Sequence, residues 1–185
     1  MGQLYRVYLE SESGNKSNYR GVASSMYVNL KIMEHSWVGN FFADSIARLL
    51  YKNRMRVAWV GQYANHIKAE KIDEIYPFVW EKDHGKWVKI RLLTLEGRHF
   101  VNHSKKIYFD FDAYAERSVR RDEDDEEWIV HPLPLLTAVG NGMGSGDYRG
   151  VNQNDVGSWY LDLISIEDEI PENYEAVEYT FYEDT

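Results

Sequence analysis

Apolar and polar positions alternate in several short runs and follow a helical period in one. In residues 3–10, Tyr5, Val7 and Leu9 share one face, which predicts a first strand. Residues 11–19 are rich in Ser, Gly and Asn and predict a polar loop. Over 26–33, Met26, Val28, Leu30 and Ile32 oppose Tyr27, Asn29 and Lys31, the pattern of a half-buried strand. The period then changes. Trp37, Val38, Phe41, Phe42, Ile46, Leu49 and Leu50 fall on one apolar stripe. This predicts a helix over about 36–53, with Ser36 as N-cap, Asn53 as terminator and Asp44, Arg48 and Lys52 off the stripe.

Strand patterns dominate the rest. Residues 54–61 predict a largely apolar strand, and 76–80 with 87–93 predict a hairpin joined by the polar segment EKDHGK. Residues 107–111 alternate, with Ile107, Phe109 and Phe111 inward and Tyr108, Asp110 and Asp112 outward. Residues 113–121 are expected as a short helix or an extended arm, and the acidic run 122–127 as a solvated loop. Short strands are expected at 128–130, 158–166 and 177–182, the last two separated by an acidic turn. The expected fold is therefore α+β: a largely antiparallel twisted sheet with one main helix (36–53) packed on it. At 185 residues, a single domain 1–185 is expected, ending in an acidic segment, 167–185.

Composition narrows the class. Aromatic residues make up 15% of the chain, which suits strands and contact faces. No cysteine is present, so disulfide and thiolate chemistry are excluded and a reducing compartment is favoured. No basic stretch followed by an apolar run opens the sequence, and no long apolar run follows. A cytoplasmic protein is expected, neither secreted nor membrane-bound. The net charge of −9 argues against direct nucleic-acid binding through a broad phosphate footprint.

The densest candidate chemistry lies between His131 and Trp159, in HPLPLLTAVGNGMGSGDYRGVNQNDVGSW. Gly140, Gly142, Gly144 and Gly146 alternate with other residues, and Asp147, Tyr148 and Arg149 follow at once. Glycine is entropically costly to order, so such a run is expected where backbone approaches something closely. Free backbone N–H groups in such a loop attract anions, and Arg149 adds a planar charge suited to phosphate or carboxylate. Asp147 can accept from a hydroxyl. No helix pattern follows Gly146 and no Gly-Lys-Ser/Thr occurs, so neither the dinucleotide fingerprint nor the P-loop is present. The expected ligand site is Gly140, Asn141, Gly142, Gly144, Gly146, Asp147, Tyr148, Arg149 and His131, lining a cleft. His131 and Asp147 are the acid–base candidates if chemistry occurs.

Other clusters have plainer readings. His99 and His103 stand four apart but lack the zincin glutamate, and the segment reads as strand and turn, so no metal or cofactor is expected. Asp110 and Asp112 read as a solvated strand face. His35, Trp37 and Asn40 read as a helix cap with an aromatic anchor. Glu167 to Thr185 holds eight acidic residues and no basic one, and with 122–127 could form a negative face that imitates a polyanion.

HPLPLLTAVGNGMGSGDYRG and the later VGSW, with RVAWVGQYA at 56–64, resemble small uncharacterised proteins of bacteriophages and mobile elements of Gram-positive bacteria. The resemblance implies an accessory protein acting on a host system, and it carries no catalytic residue. The favoured reading is a non-enzymatic binding protein that takes a small polar or phosphorylated, nucleotide-like ligand at the glycine-rich loop. Alternatives are an acidic inhibitor of a basic host protein and a nucleotide hydrolase. Oligomerisation is compatible with all three.

Overall fold

The structure is a computed structural model that describes residues 3–12, 20–22, 31–64, 80–83, 86–89, 93–121, 124, 126–140 and 147–182. In chain order the elements are β1 (Tyr5–Ser11), β2 (Arg20–Val22), α1 (Ile32–His35), α2 (Phe41–Leu50), β3 (Met55–Gly61), β4 (Trp80–Asp83) and β5 (Lys86–Lys89). They continue with β6 (His99–Asn102), β7 (Ile107–Asp110), α3 (Phe111–Ser118), β8 (Val119–Arg121), β9 (Glu127–Ile129), α4 (Pro132–Leu136) and β10 (Ala138–Val139). A 3-10 turn (Gln153–Asp155), β11 (Leu163–Glu167) and β12 (Glu175–Ala176) complete the described chain.

The unbroken apolar run Val57–Val60 is buried on both faces, as a central strand requires. β1 lies antiparallel along all of β3, from Tyr5↔Gly61 to Ser11↔Met55. The other edge of β3 is shared: β11 pairs antiparallel at Met55 and Arg56, and β10 pairs parallel at Trp59 and Val60. The main sheet runs β12-β7-β6-β11-β3-β1-β2. Its pairings are mostly antiparallel. Among the described residues the exceptions are β10 on β3 and β12 on β7.

Among the described residues the fold is mixed α and β with four helices, of which α2 is the longest. The helix expected over 36–53 is real but shorter at both ends. Trp37 instead bridges antiparallel to Val130, with Val38 N donating to Ile129 O at 2.8 Å and His131 N donating to Ser36 O at 3.0 Å. Gly39 then turns the chain with φ +92°, and Asn40 caps α2, its Oδ1 accepting from Phe42 N (3.0 Å) and Ala43 N (3.2 Å). Ser36 had the right chemistry for a cap, but pairing with a distant segment held it elsewhere. At the far end Lys52, not Asn53, takes the left-handed conformation. Phe42, Ile46 and Leu50 are fully buried, whereas Phe41 and Leu49 are half-buried. Asp44, placed off the stripe by its charge, is buried.

Other segments also differ from the expectation. The strand expected at 26–33 falls mostly outside the described residues, and its last positions, Ile32 and Met33, begin α1. β4 and β5 pair through Asp83↔Lys86, so residues expected in the hairpin loop are strand. The strand expected at 158–166 begins only at Leu163, after a run of turns. His131 caps α4 and Pro132 opens it, since proline suits a first helical turn. Residues 177–182 are not strand, yet Tyr179 and Phe181 are buried and stack at 6.4 Å, carrying the acidic C-terminal segment into the core. Among the described residues no helix is long and apolar enough to cross a membrane.

Because Leu50 is fully buried and Leu49 only partly, the two truncations should differ. Leu50→Ala is expected to cost about 2–5 kcal/mol in urea unfolding, and Leu49→Ala clearly less. Equal costs would contradict the helix orientation described here.

Candidate functional site

Gly140 and Asp147, the described residues on either side of 141–146, meet at one side chain. Gln3 is 0% exposed. Its Nε2 donates to Gly140 O, where the segment begins. The same nitrogen lies 3.1 and 3.3 Å from the carboxylate oxygens of Asp147, after the last of the four alternating glycines. Gln3 Oε1 accepts from Tyr63 N at 3.4 Å, just past the end of β3. Tyr5, two residues along β1, donates its hydroxyl to Asp147 Oδ1 at 2.9 Å. Burial, then the hydrogen bond to Asp147 and its charge, push the Tyr5 hydroxyl well above its ordinary pKa. Gln3, Tyr5, Gly140 and Asp147 therefore form a closed neck. Residues 141–146 lie between its two sides and are outside the described residues, as are Asn141, Gly142, Gly144 and Gly146 of the expected site.

Two glycines make room for this neck. Gly140 has φ +91°, and a Cβ there would sit 2.8 Å from Gln3 Oε1. A Cβ on Gly61 would overlap the same amide. Gly61 reads in sequence as an ordinary strand end, and Gln3 and Tyr5 as strand residues. Nothing local marks them as partners of a segment more than 130 residues away.

The neighbours of Asp147 point opposite ways. Tyr148 is buried against Phe181 and Tyr182, at 5.7 and 5.5 Å between ring centroids, and its hydroxyl meets the carbonyls of Val151 and Phe181. Arg149 is exposed, and no ion pair to it is found among the described residues. Asp147 is 4% exposed and engaged from inside. Of the expected polar contacts, Arg149 is the one on the surface.

His131 belongs to a different environment. It is fully buried and edges onto Phe100 at 6.2 Å. Its Nδ1 caps α4 by accepting from Leu133 N at 3.2 Å, so the ring proton sits on Nε2. Nε2 faces Asp44 Oδ1 at 3.8 Å, too long for a hydrogen bond. Burial lowers the His131 pKa to about 3 and raises that of Asp44 to about 6, the latter partly offset by Gly39 N donating to its carboxylate. The pair is not an ion pair at neutral pH, because the imidazole is uncharged. The acid–base candidates His131 and Asp147 thus sit among different partners, Asp44 and Phe100 for one and Gln3 and Tyr5 for the other.

His99 and His103 do not converge either. Four residues along a strand separate them by roughly 13 Å. His99 lies 3.3 Å from Asp110, and Asp110 itself caps α3 through Ala113 N at 2.8 Å. Asp112 accepts from Gly97 N at 3.0 Å. His103 joins a chain that sequence reading did not find. Tyr174 Oη lies 2.9 Å from its Nδ1, Ser165 Oγ lies 2.7 Å from its Nε2, and Ser165 donates to Glu167 at 2.6 Å. With Ser165 giving its proton to the carboxylate, His103 donates to Ser165 and accepts from Tyr174. Ser165 is therefore not poised as a nucleophile, and it is buried. Burial lowers the His103 pKa to about 4.

No known protein family, curated protein or solved structure matches this chain.

The buried histidine and aspartate have opposite linkage to pH. His131 titrates at 6.5 when unfolded and about 3 when folded, so its stabilisation is present above 6.5 and lost as pH falls towards 3. Asp44 titrates at 3.8 unfolded and about 6 folded, so its stabilisation is present below 3.8 and lost as pH rises through 6. Between about 4 and 6 the two nearly cancel, leaving a shallow acid loss from half-exposed His103. Asp44→Asn should make stability fall more steeply than wild type on acidification from pH 6 to 4. His131→Asn, which keeps a cap acceptor, should make the fall shallower or reverse it. Urea unfolding across this range checks it, and three parallel profiles would contradict the assignment.

Proposed function

We propose that this chain is a non-enzymatic binding protein that takes a small polar or phosphorylated ligand, nucleotide-like in chemistry, at the glycine-rich segment 140–149. One observation carries the reading: both sides of the segment are tied to one buried side chain, Gln3, while Arg149 beside it stays exposed. A loop on a rigid base loses less entropy on binding than an unanchored one. Glycines within it offer backbone donors to an anion, and Arg149 offers a bidentate charge. Buried Asp147 acts here as a positioning residue. The setting of a phage or mobile-element accessory protein rests on sequence resemblance.

A second reading has its own support. Asp168, Glu169, Glu172, Glu175 and Glu178 are all exposed, on the segment that Tyr179 and Phe181 anchor. Such a row of carboxylates suits an inhibitor of a basic host protein.

Calorimetric titration of nucleotides and other phosphorylated metabolites separates these readings. Arg149→Ala should abolish or strongly weaken binding of whichever ligand wild type takes, with the melting temperature nearly unchanged. Wild type binding none of them would overturn the favoured reading. Salt-sensitive association with a basic protein, unaffected by Arg149→Ala, would select the second.

A further inference from the structure

The end of α2 gathers positive charge in a chain whose net charge is −9. The cationic groups of Arg48, Lys52 and Arg98 lie 5.6, 5.2 and 5.0 Å from the centroid of one ring, Tyr51. Two belong to one turn of chain at the helix end, and Arg98 enters from the start of β6. A single carboxylate serves the cluster. Asp168, just after β11, holds Lys52 Nζ at 2.7 Å and Arg98 Nε at 3.2 Å through its two oxygens, and accepts from the Tyr51 hydroxyl at 2.7 Å. Arg48 is exposed, with no ion pair among the described residues.

The arrangement has a chemical asymmetry. A carboxylate offers two oxygens, and both are in use. A phosphate monoester offers three oxygens and a second charge, enough for Lys52, Arg98 and Arg48 together. The seat is built, since Tyr51 bridges backbone to Ile166 and Lys52 N donates to Ile166 O at 2.9 Å, which fixes α2 against β11. Asp168 is exposed, its side chain 40% accessible, so an incoming anion can reach it. Lys52 and Tyr51, by donating to it, hold the Asp168 carboxyl below the usual carboxylate range, so it remains a competing anion at neutral pH.

We propose that Arg48, Tyr51, Lys52 and Arg98 form a binding site for a phosphate monoester group, which Asp168 occupies as an internal competitor. This site is separate from the glycine-rich segment and does not depend on it.

The test is NMR titration at low ionic strength, where exposed charges are least screened. Probes are inorganic phosphate, a nucleoside monophosphate and the matching nucleoside, followed at the amides of Arg48–Lys52 and Arg98. Both phosphates should shift these amides and the nucleoside should not. Arg48→Ala should weaken phosphate binding about fivefold, the ceiling for one exposed charge pair. Asp168→Asn should tighten it by a similar factor, and Arg149→Ala should leave it unchanged. Arg48 is an exposed helix position, so its variant serves even if Asp168→Asn fails to fold. Unchanged affinity in Arg48→Ala, absence of phosphate shifts at these amides, or binding lost in Arg149→Ala instead would each overturn the site. Shifts from the nucleoside alone would also overturn it, because the determinant would then be the base.

Discussion

A primary amide shut away from water must find partners for its N–H and carbonyl groups inside the protein. Gln3 is such an amide, and besides Tyr5 on β1 its partners come from three distant places: Tyr63 past β3, Gly140 after β10, and Asp147. Leaving those groups unpaired would cost about 1–3 kcal/mol, so the neck is costly to open. Gly61 and Gly140 are the complementary half of the constraint, because side chains there would fill the space the amide needs. β1 positions Gln3 by pairing along all of β3, and β10 brings Gly140 to the same end by pairing with Trp59 and Val60. The central sheet thus delivers both sides of the glycine-rich segment to one point.

Local pattern made parts of this legible. The alternation of Tyr5, Val7 and Leu9, the apolar run Val57–Val60 and the stripe of Phe42, Ile46 and Leu50 all lie buried where their periods place them. What escaped reading depends on contacts between distant residues. Ser36 is a good cap by chemistry, yet pairing of 36–38 with 129–131 moves the helix start to Phe41. β10 is two residues held by a parallel partner, too short for any period to register. The glycine-rich segment stood out by composition, but its anchor, Gln3, carries no signal in its own neighbourhood. The same holds for the chain Tyr174–His103–Ser165–Glu167, drawn from separate strands and turns.

Charge in this protein is sorted by burial. Asp44 and His131 are enclosed together, and each is pushed by burial towards its neutral form, so their contact links α2 to α4 without an ion pair. Asp147 is enclosed too, and Gln3 and Tyr5 both donate to it. Among the charges at the surface are the carboxylates after β11, the cations around Tyr51, and Arg149 beside the neck. The proposed recognition chemistry draws on these exposed groups, while buried groups hold the backbone beside them.

The claim that Gln3 and Asp147 act as one clamp is tested most directly by a double-mutant cycle. Unfolding free energies of Gln3→Ala, Asp147→Ala and the double variant would be measured by urea denaturation at neutral pH. A shared clamp predicts non-additivity of about 0.5–3 kcal/mol, the double variant losing less than the sum of the singles. Strict additivity would contradict it, showing that the two residues stabilise the protein independently and that Gln3 does not tie the two sides of the glycine-rich segment together.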